Sequence, residues 1–184
     1  MILVLKSRLS NYWERFPINL RVIIKTRLWA ALGAGGVLYL NPLIFNNLGF
    51  SAQEIGSGIT VAALAGISSR LAIGFLLDKK YSCTSAIKTA TLLAILADFI
   101  LFNAENYQSY LMGQFILGAA AGVYWPSAEL AIPLSCNKEI DSSEAYALAR
   151  SADAIGITLG VLLGTIGTYL DFMGIVYLID ISCM

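Results

Sequence analysis

One stretch of the sequence, Gly56–Lys80, is apolar for most of its length and ends abruptly in charged residues. Read with helical spacing, small and charged residues recur at every fourth position along one row: Gly58, Ala62, Gly66, Arg70, Gly74 and Asp78. In lipid, a row of small residues lets another helix backbone approach closely. The stretch therefore predicts a membrane-crossing helix whose small face packs on a partner and whose charged end lies at a membrane surface.

The composition extends this interpretation to the whole chain. Hydrophobic residues make up 58% of the sequence and charged residues 13%, whereas soluble domains are about 45–50% apolar and about 25% charged. A water-soluble core of this size could not hide so much apolar surface, but a bilayer would cover it. We therefore predict an all-α fold, a polytopic transmembrane helix bundle with the lipid bilayer as its surroundings.

The apolar runs define five full spans and a partial sixth, since a helix needs about 20 apolar residues to cross the hydrocarbon layer. The predicted spans are approximately 28–45, 55–77, 86–102, 110–134 and 147–170, with the partial one at 172–184. A basic, partly amphipathic segment, 1–27, precedes this bundle of residues 28–184. Ser51 and Glu54 predict a capping box before the second span. On this interpretation the chain ends before its last helix is complete.

The basic residues lie almost entirely on one side of this topology. Six of them precede the first span, and most others fall in the 78–88 and 135–146 regions. The loops on the opposite side carry acidic residues and no Lys or Arg. The positive-inside rule therefore places the N-terminus in the cytoplasm, and we expect an integral protein of the plasma (inner) membrane. In this topology Arg70 is the basic residue inside a span.

Several functional classes lack their sequence signals. The chain has no histidine, and its three cysteines show no metal-ligand spacing. No nucleophile motif is present, so we expect neither an enzyme nor a bound cofactor or metal. No basic stripe is interleaved with aromatic residues, so nucleic acid is not an expected partner.

Charged residues within the spans are candidate functional groups, because each costs about 2.5–3.5 kcal/mol at the bilayer centre. Arg70 and Glu129 lie at similar depth and predict an ion pair, although Arg70 could instead extend to the cytoplasmic headgroups. Asp98 suggests either a protonatable coupling group or a structural hydrogen-bonding role. Arg150 and Asp153 predict an ion pair at the cytoplasmic end of the fifth span.

Two further sets of residues suggest packing and binding. Glycines at helical spacing predict close helix contacts, either for sliding surfaces or for tight static packing: Gly118, Gly122, Gly156, Gly160 and Gly164. Polar and aromatic residues near mid-span are candidates for a solute cavity: Tyr39, Asn41, Gln114, Tyr124 and Trp125. Simple aromatic packing is the alternative for Tyr124 and Trp125.

The end of the second span resembles the signature of the major facilitator superfamily of secondary transporters. That signature is approximately G-x-L-x-D-[RK]-x-G-[RK]-[RK], and it is matched by Gly74, Leu76, Asp78 and Lys79. Tyr81 stands where the second glycine is expected. The resemblance implies a gating role for this motif, with Asp78 locking to a neighbouring helix in one state and releasing it in the other.

The fourth and fifth spans resemble the same family. Gly118, Gly122 and Pro126 match its fourth-helix pattern, with Gln114 in place of the usual Arg. The glycine ladder of the fifth span also matches, with Val161 in place of the Pro typical of antiporters. The chain thus resembles the N-terminal six-helix half of such a transporter over about 28–170.

This resemblance implies transport of a small solute by alternating access, with or without a coupling proton. The family places its substrate between two six-helix halves, so a lone half would act as a homodimer or with a second half supplied by another polypeptide. The alternatives are a truncated, inactive membrane protein that keeps the half-bundle fold, or one subunit that needs a second half to transport.

Overall fold

A computed structural model describes residues 12–137, 140–170, 172 and 174–184. Four residues of the charge pattern that predicts the topology lie outside the described residues, namely Lys6, Arg8, Lys138 and Asp171. The described residues contain no strand. The helices run in chain order as α1 Ile18–Asn47, α2 Ala52–Asp78, α3 Cys83–Phe102, α4 Tyr107–Leu134, α5 Ser142–Tyr169 and α6 Ile175–Cys183. The all-α prediction is confirmed.

Five of these helices, α1 to α5, are long and apolar enough to cross a membrane. They correspond in order to the five predicted spans, and α6 falls within the predicted partial span. Large apolar side chains such as Leu64, Leu71, Leu92 and Phe99 are exposed on their outer surfaces, as lipid contact requires. The chain is an integral membrane protein.

The first helix begins ten residues earlier than predicted, at Ile18 and not at Leu28. Pro17 occupies the N-cap position, where a fixed φ and a missing N–H are tolerated. Apolar residues follow at once, and Leu20 and Ile24 are buried. Arg27 therefore lies inside this helix, nine residues after its first residue, and is buried within the bundle.

The residues just before α1 pack against the beginning of α5. Phe16 is buried in a cluster that includes Leu20 and Ala149. The Tyr12 hydroxyl donates a hydrogen bond of 2.9 Å to a Glu144 carboxylate oxygen, and this bond raises the pKa of the Tyr12 phenol. From Tyr12 onward, this segment belongs to the bundle.

The start of α2 agrees with the sequence. The Ser51 side chain accepts a hydrogen bond from the Glu54 N–H, and the Glu54 side chain accepts one from the Ser51 N–H. The two bonds satisfy donors that the first helical turn would leave unpaired. The predicted capping box is confirmed.

Glycine contacts hold the helices in two close pairs. In one pair, Gly118 of α4 lies against the backbone of Ala62 in α2, and Gly122 lies against Gly66. In the other pair, Gly156 and Gly160 of α5 lie against the α1 backbone. A side-chain Cβ at any of these four glycines would collide with backbone atoms. The glycine ladders thus form close contacts within the chain, α2 with α4 and α1 with α5.

The remaining helices complete an asymmetric bundle. Helix α3 packs on α4, and α6 packs on α1 and α3. In its most apolar window, α1 is 50% buried but α2 only 11%. Helix α1 is therefore the central element, and α2 lies at the periphery, held mainly by α4.

Candidate functional site

A cavity of about 120 Å³ lies among α1, α3, α4, α5 and α6. Alanine is the most frequent residue in its walls, contributed by three helices as Ala30, Ala34, Ala90, Ala94, Ala120 and Ala121. Tyr124 and Trp125 form the aromatic part of the wall, and Asp180 is its charged lining residue. Apart from Asp180 and Met184 at the end of α6, these residues lie at interior turns of their helices, so the cavity lies within the helix bundle. Small side chains on facing helices leave this space open.

Arg27 anchors a charge cluster one helical turn before the cavity-lining Ala30. Its side chain is 1% exposed. Nε donates to one Asp153 oxygen at 3.1 Å and Nη2 donates to the other at 2.5 Å, a bidentate geometry that is among the stronger ion-pair arrangements. Nη2 also donates to Glu129 at 2.8 Å. The guanidinium carbon lies 5.4 Å from the centre of the Trp125 ring, so the cluster contacts the cavity wall.

Arg150 completes the cluster from the exposed side. One of its Nη atoms is 3.1 Å from Glu129 and the other is 3.8 Å from Asp153. The predicted pair between Arg150 and Asp153 is therefore present, although Arg27 makes the closer contact with Asp153. Two guanidinium groups and two carboxylates balance one another. We call these four residues, Arg27, Glu129, Arg150 and Asp153, the four-charge cluster.

The predicted ion pair between Arg70 and Glu129 was wrong. Glu129 binds Arg27 and Arg150, whereas Arg70 is exposed on α2. Similar depth in the membrane was the basis for pairing them, but depth does not determine which way a side chain points around its helix. The missed residue, Arg27, had no clear sequence signal, because Arg21 and Lys25 interrupt the apolar residues between Pro17 and Arg27.

A second polar cluster joins α3 and α6. Asp98 and Asp180 are 0% and 1% exposed, and their carboxyl groups are close enough to share a hydrogen bond. Neither oxygen of Asp98 nor Oδ1 of Asp180 has a donor among the described residues. Among the described residues, no donor supports a structural hydrogen-bonding role of Asp98. We call these two residues the acid pair; sequence reasoning did not identify Asp180 as the partner of Asp98.

The other predicted cavity residues are dispersed. Asn41 is buried and accepts a hydrogen bond of 2.6 Å from the Tyr177 hydroxyl of α6, which stabilises the polar break in α1 before Pro42. Gln114 is buried away from the cavity lining. Tyr39 is 59% exposed and lies beside Ile157 of α5. Of the predicted set, the structure places Tyr124 and Trp125 at the cavity.

The predicted gating motif forms the end of α2. Asp78 is its last helical residue, and Lys80 adopts a φ of 67° that ends the helix. Lys79 places its ammonium 4.2 Å from the centre of the Phe75 ring, and no atom would contact a Cβ at Gly74 within 4 Å. The motif, Leu76 included, is exposed or half-buried at the bundle end, and its gating role stays a prediction.

The comparisons with known proteins agree with the architecture. A family model described as Major Facilitator Superfamily matches residues 27–181. The matched region runs from Arg27 to α6 and contains the cavity, the four-charge cluster and the acid pair. No curated protein matches the chain. Because the family model covers most of the sequence, and the helices have the length and order that the motifs predicted, the chain belongs to the Major Facilitator Superfamily.

Proposed function

We propose that this chain is one half of a transporter that moves a small solute across the membrane by alternating access. The cavity within the membrane-spanning bundle carries the proposal. Solute sites in transporters lie near the bilayer midplane and use a few polar and aromatic groups in a mostly apolar wall. The wall here has that composition, with Tyr124, Trp125 and Asp180 among alanines.

The four-charge cluster supports this proposal. Charges at membrane depth are costly, and in membrane proteins they commonly mark transport pathways. Arg27 places the cluster directly beside Trp125 of the cavity wall. Its paired carboxylates come from α4 and α5, so the cluster links three helices at one end of the cavity.

We further propose that a second six-helix half completes the transport path, supplied by another copy of this chain, by a separate polypeptide or by a further part of the same protein. Helix α2 has little of its apolar surface buried within the chain. The outward face of α5 exposes several large apolar residues, Ile155, Leu159, Leu162, Leu163 and Ile166. A second half packed here would supply the wall that one half alone cannot.

Uptake into proteoliposomes tests the transport function directly. The purified chain would be reconstituted alone and given a panel of radiolabelled solutes of different charge and size. We expect time-dependent uptake of at least one solute, through a homodimer. Uptake seen only when a second half-transporter is co-reconstituted would assign the chain as a subunit, and no uptake in either case would favour the inactive half-bundle.

A pair of matched substitutions links any uptake to the cavity. Ala121→Leu adds a large side chain to the cavity lining, and Ala63→Leu adds the same side chain to an exposed position on α2. Filling the cavity should lower the initial uptake rate by about tenfold or more, because a methylene-sized change in an apolar pocket alters substrate discrimination by at least that factor, while Ala63→Leu should leave the rate near that of the unsubstituted chain. Equal rates for both variants would contradict a solute path through this cavity.

The proposed orientation places the N-terminus in the cytoplasm of a cell whose plasma (inner) membrane holds the chain. The excess of basic residues on one side supports it. Reporter fusions within 78–88 and 103–109 would read out the compartment of each loop. We expect a cytoplasmic reporter signal from the first loop and an external one from the second.

A further inference from the structure

The acid pair presents carboxyl oxygens to each other without a hydrogen donor. A carboxylate only accepts hydrogen bonds, whereas a protonated carboxylic acid also donates one. Asp98 and Asp180 are close enough to share a hydrogen bond, and three of their four oxygens have no donor among the described residues. A hydrogen bond between them therefore requires a proton on one of the two groups.

No cation among the described residues balances the acid pair. Arg27 and Arg150 form their ion pairs with Glu129 and Asp153, and no salt bridge reaches Asp98 or Asp180. Two adjacent negative charges at this depth would repel each other without water to screen them. One proton between the carboxyls removes one charge and supplies the missing donor, as in other close carboxyl pairs.

We propose that Asp98 and Asp180 share one proton and form a proton-binding site that opens to the cavity through Asp180. Asp180 lines the cavity, whereas Asp98 lies behind it with no exposed surface. A proton that enters through the cavity thus reaches Asp180 first. The binding of this proton does not depend on transport; its role as the coupling ion for solute movement rests on the proposed function.

The surroundings of the acid pair suit a proton better than a metal cation. Divalent cations take about six or more oxygen ligands, and the two carboxyls offer four oxygens. On the α1 side Asp180 lies against Gly33, and alanine is the most frequent residue in the nearby cavity wall. The Asn41 oxygen is already bonded to Tyr177. The titratable groups on which the pair acts electrostatically are Tyr177, beside Asp98, and Cys183, beside Asp180, both from α6.

Infrared spectroscopy of the purified full chain in lipid nanodiscs tests this inference without any substrate. A shared proton gives the carbonyl stretch of a protonated carboxylic acid at neutral pH, and the band should shift on exchange into heavy water. We expect the band in the unsubstituted chain, and its loss in Asp98→Asn, in Asp180→Asn and in the double variant. Glu105→Gln removes an exposed loop carboxyl and should leave the band unchanged.

Three outcomes would overturn the inference. These are a neutral-pH spectrum without the band, a band that survives in the double variant, and a band that disappears when sodium, calcium or magnesium is added at constant pH. The last result would assign a metal cation to the site. Because the measurement needs no solute, a chain that shows the band but no uptake would keep the proton site and lose the transport proposal. Uptake without the band would support the transport proposal and contradict the proton site.

A chemical label tests the same site without substitution, in case the variants do not fold. An apolar carbodiimide takes up the proton of a carboxylic acid on nitrogen while the acid oxygen bonds to its central carbon, and the adduct rearranges to a stable N-acylurea. Mass spectrometry of the labelled chain should place the adduct on Asp180 or Asp98 and show less of it as the pH is raised. Labelling that spares both residues would contradict the proposal.

Discussion

The four-charge cluster and the acid pair lie in the same bundle, and their charges are arranged in opposite ways. In the four-charge cluster, Arg27 donates to two carboxylates, Arg150 approaches both of them, and the formal charges cancel. In the acid pair, Asp98 faces Asp180 with no base and no other donor. Both clusters are polar and both contact the cavity or its wall. They differ in whether the protein itself supplies the compensating charge.

This difference separates a structural cluster from a titrating one. Each carboxylate of the four-charge cluster has its counter-ion within the chain, so the cluster fixes α1, α4 and α5 together. The acid pair depends on a proton from outside the chain for its balance. We therefore expect the protein to become less stable when a buried charge of the four-charge cluster is removed. Removing a charge from the acid pair should leave the stability of the protein unchanged or raise it.

The largest expected effect is on the four-charge cluster. Arg27→Ala leaves Asp153 and Glu129 without their buried partner, and breaking a buried ion pair in this way costs about 3–5 kcal/mol. The free energy of unfolding, measured by SDS titration of the chain in mixed micelles, should fall by that amount. Arg150→Ala removes a side chain that is 66% exposed and should cost less than about 1 kcal/mol. If Arg27→Ala and Arg150→Ala lowered the free energy of unfolding equally, this would contradict a central role of Arg27 in the four-charge cluster.

Gly33→Ala tests the packing behind the acid pair. A Cβ at this position would lie 2.7 Å from the Cα of Asp180 and would also meet its carboxyl group. Because backbone must move to relieve the collision, we expect a loss of about 1–3 kcal/mol and a displaced Asp180. Gly56→Ala is the matched control, since no atom would contact its Cβ within 4 Å. If Gly33→Ala were as stable as Gly56→Ala, this would contradict the close contact between Gly33 and Asp180.

A smaller effect is expected beside the acid pair, where Tyr177 contacts α1. Tyr177→Phe removes the donor to Asn41 and leaves a buried amide oxygen unpaired. Hydrogen bonds between membrane helices contribute about 0.6 kcal/mol on average, so the unfolding free energy should fall by roughly that amount. Tyr169→Phe, at an exposed tyrosine that is 88% accessible, should show no change. If Tyr177→Phe and Tyr169→Phe had the same free energy of unfolding, this would contradict a hydrogen bond between Tyr177 and Asn41.

The smallest expected loss is at the acid pair itself. Asp98→Asn replaces one carboxyl by an amide that can donate to Asp180 without a proton, so the unfolding free energy at neutral pH should stay within about 1 kcal/mol of the original or rise. The same SDS titration measures it, and its dependence on pH should weaken. A loss as large as that of Arg27→Ala would mean that Asp98 has a structural cation partner, and would contradict the comparison above.

The sequence predicted the helices well, because long apolar runs and short polar loops depend on local composition. The family followed from motifs that are also local, such as Gly74 to Lys79. The beginning of α1 was missed because Arg27 was counted with the basic flank, although its burial is compensated by Asp153 from α5. A partner that distant in sequence leaves no local signal.

The site itself was only partly predictable. Tyr124 and Trp125 were identified because polar and aromatic residues near mid-span are few. The pairing of Glu129 failed because the rotation of each helix about its axis decides which side chains meet. The acid pair depends on α6 packing against α3, and nothing in the separate segments specifies that contact.

The bond between Arg27 and Asp153 also sets a condition on how the chain is made. The ribosome delivers α1 first and completes α5 only much later, so newly inserted α1 holds a guanidinium at membrane depth while its bidentate acceptor is still unsynthesised. The pairing of Arg27 with Asp153 is therefore completed only after α2, α3 and α4 have followed α1 from the ribosome.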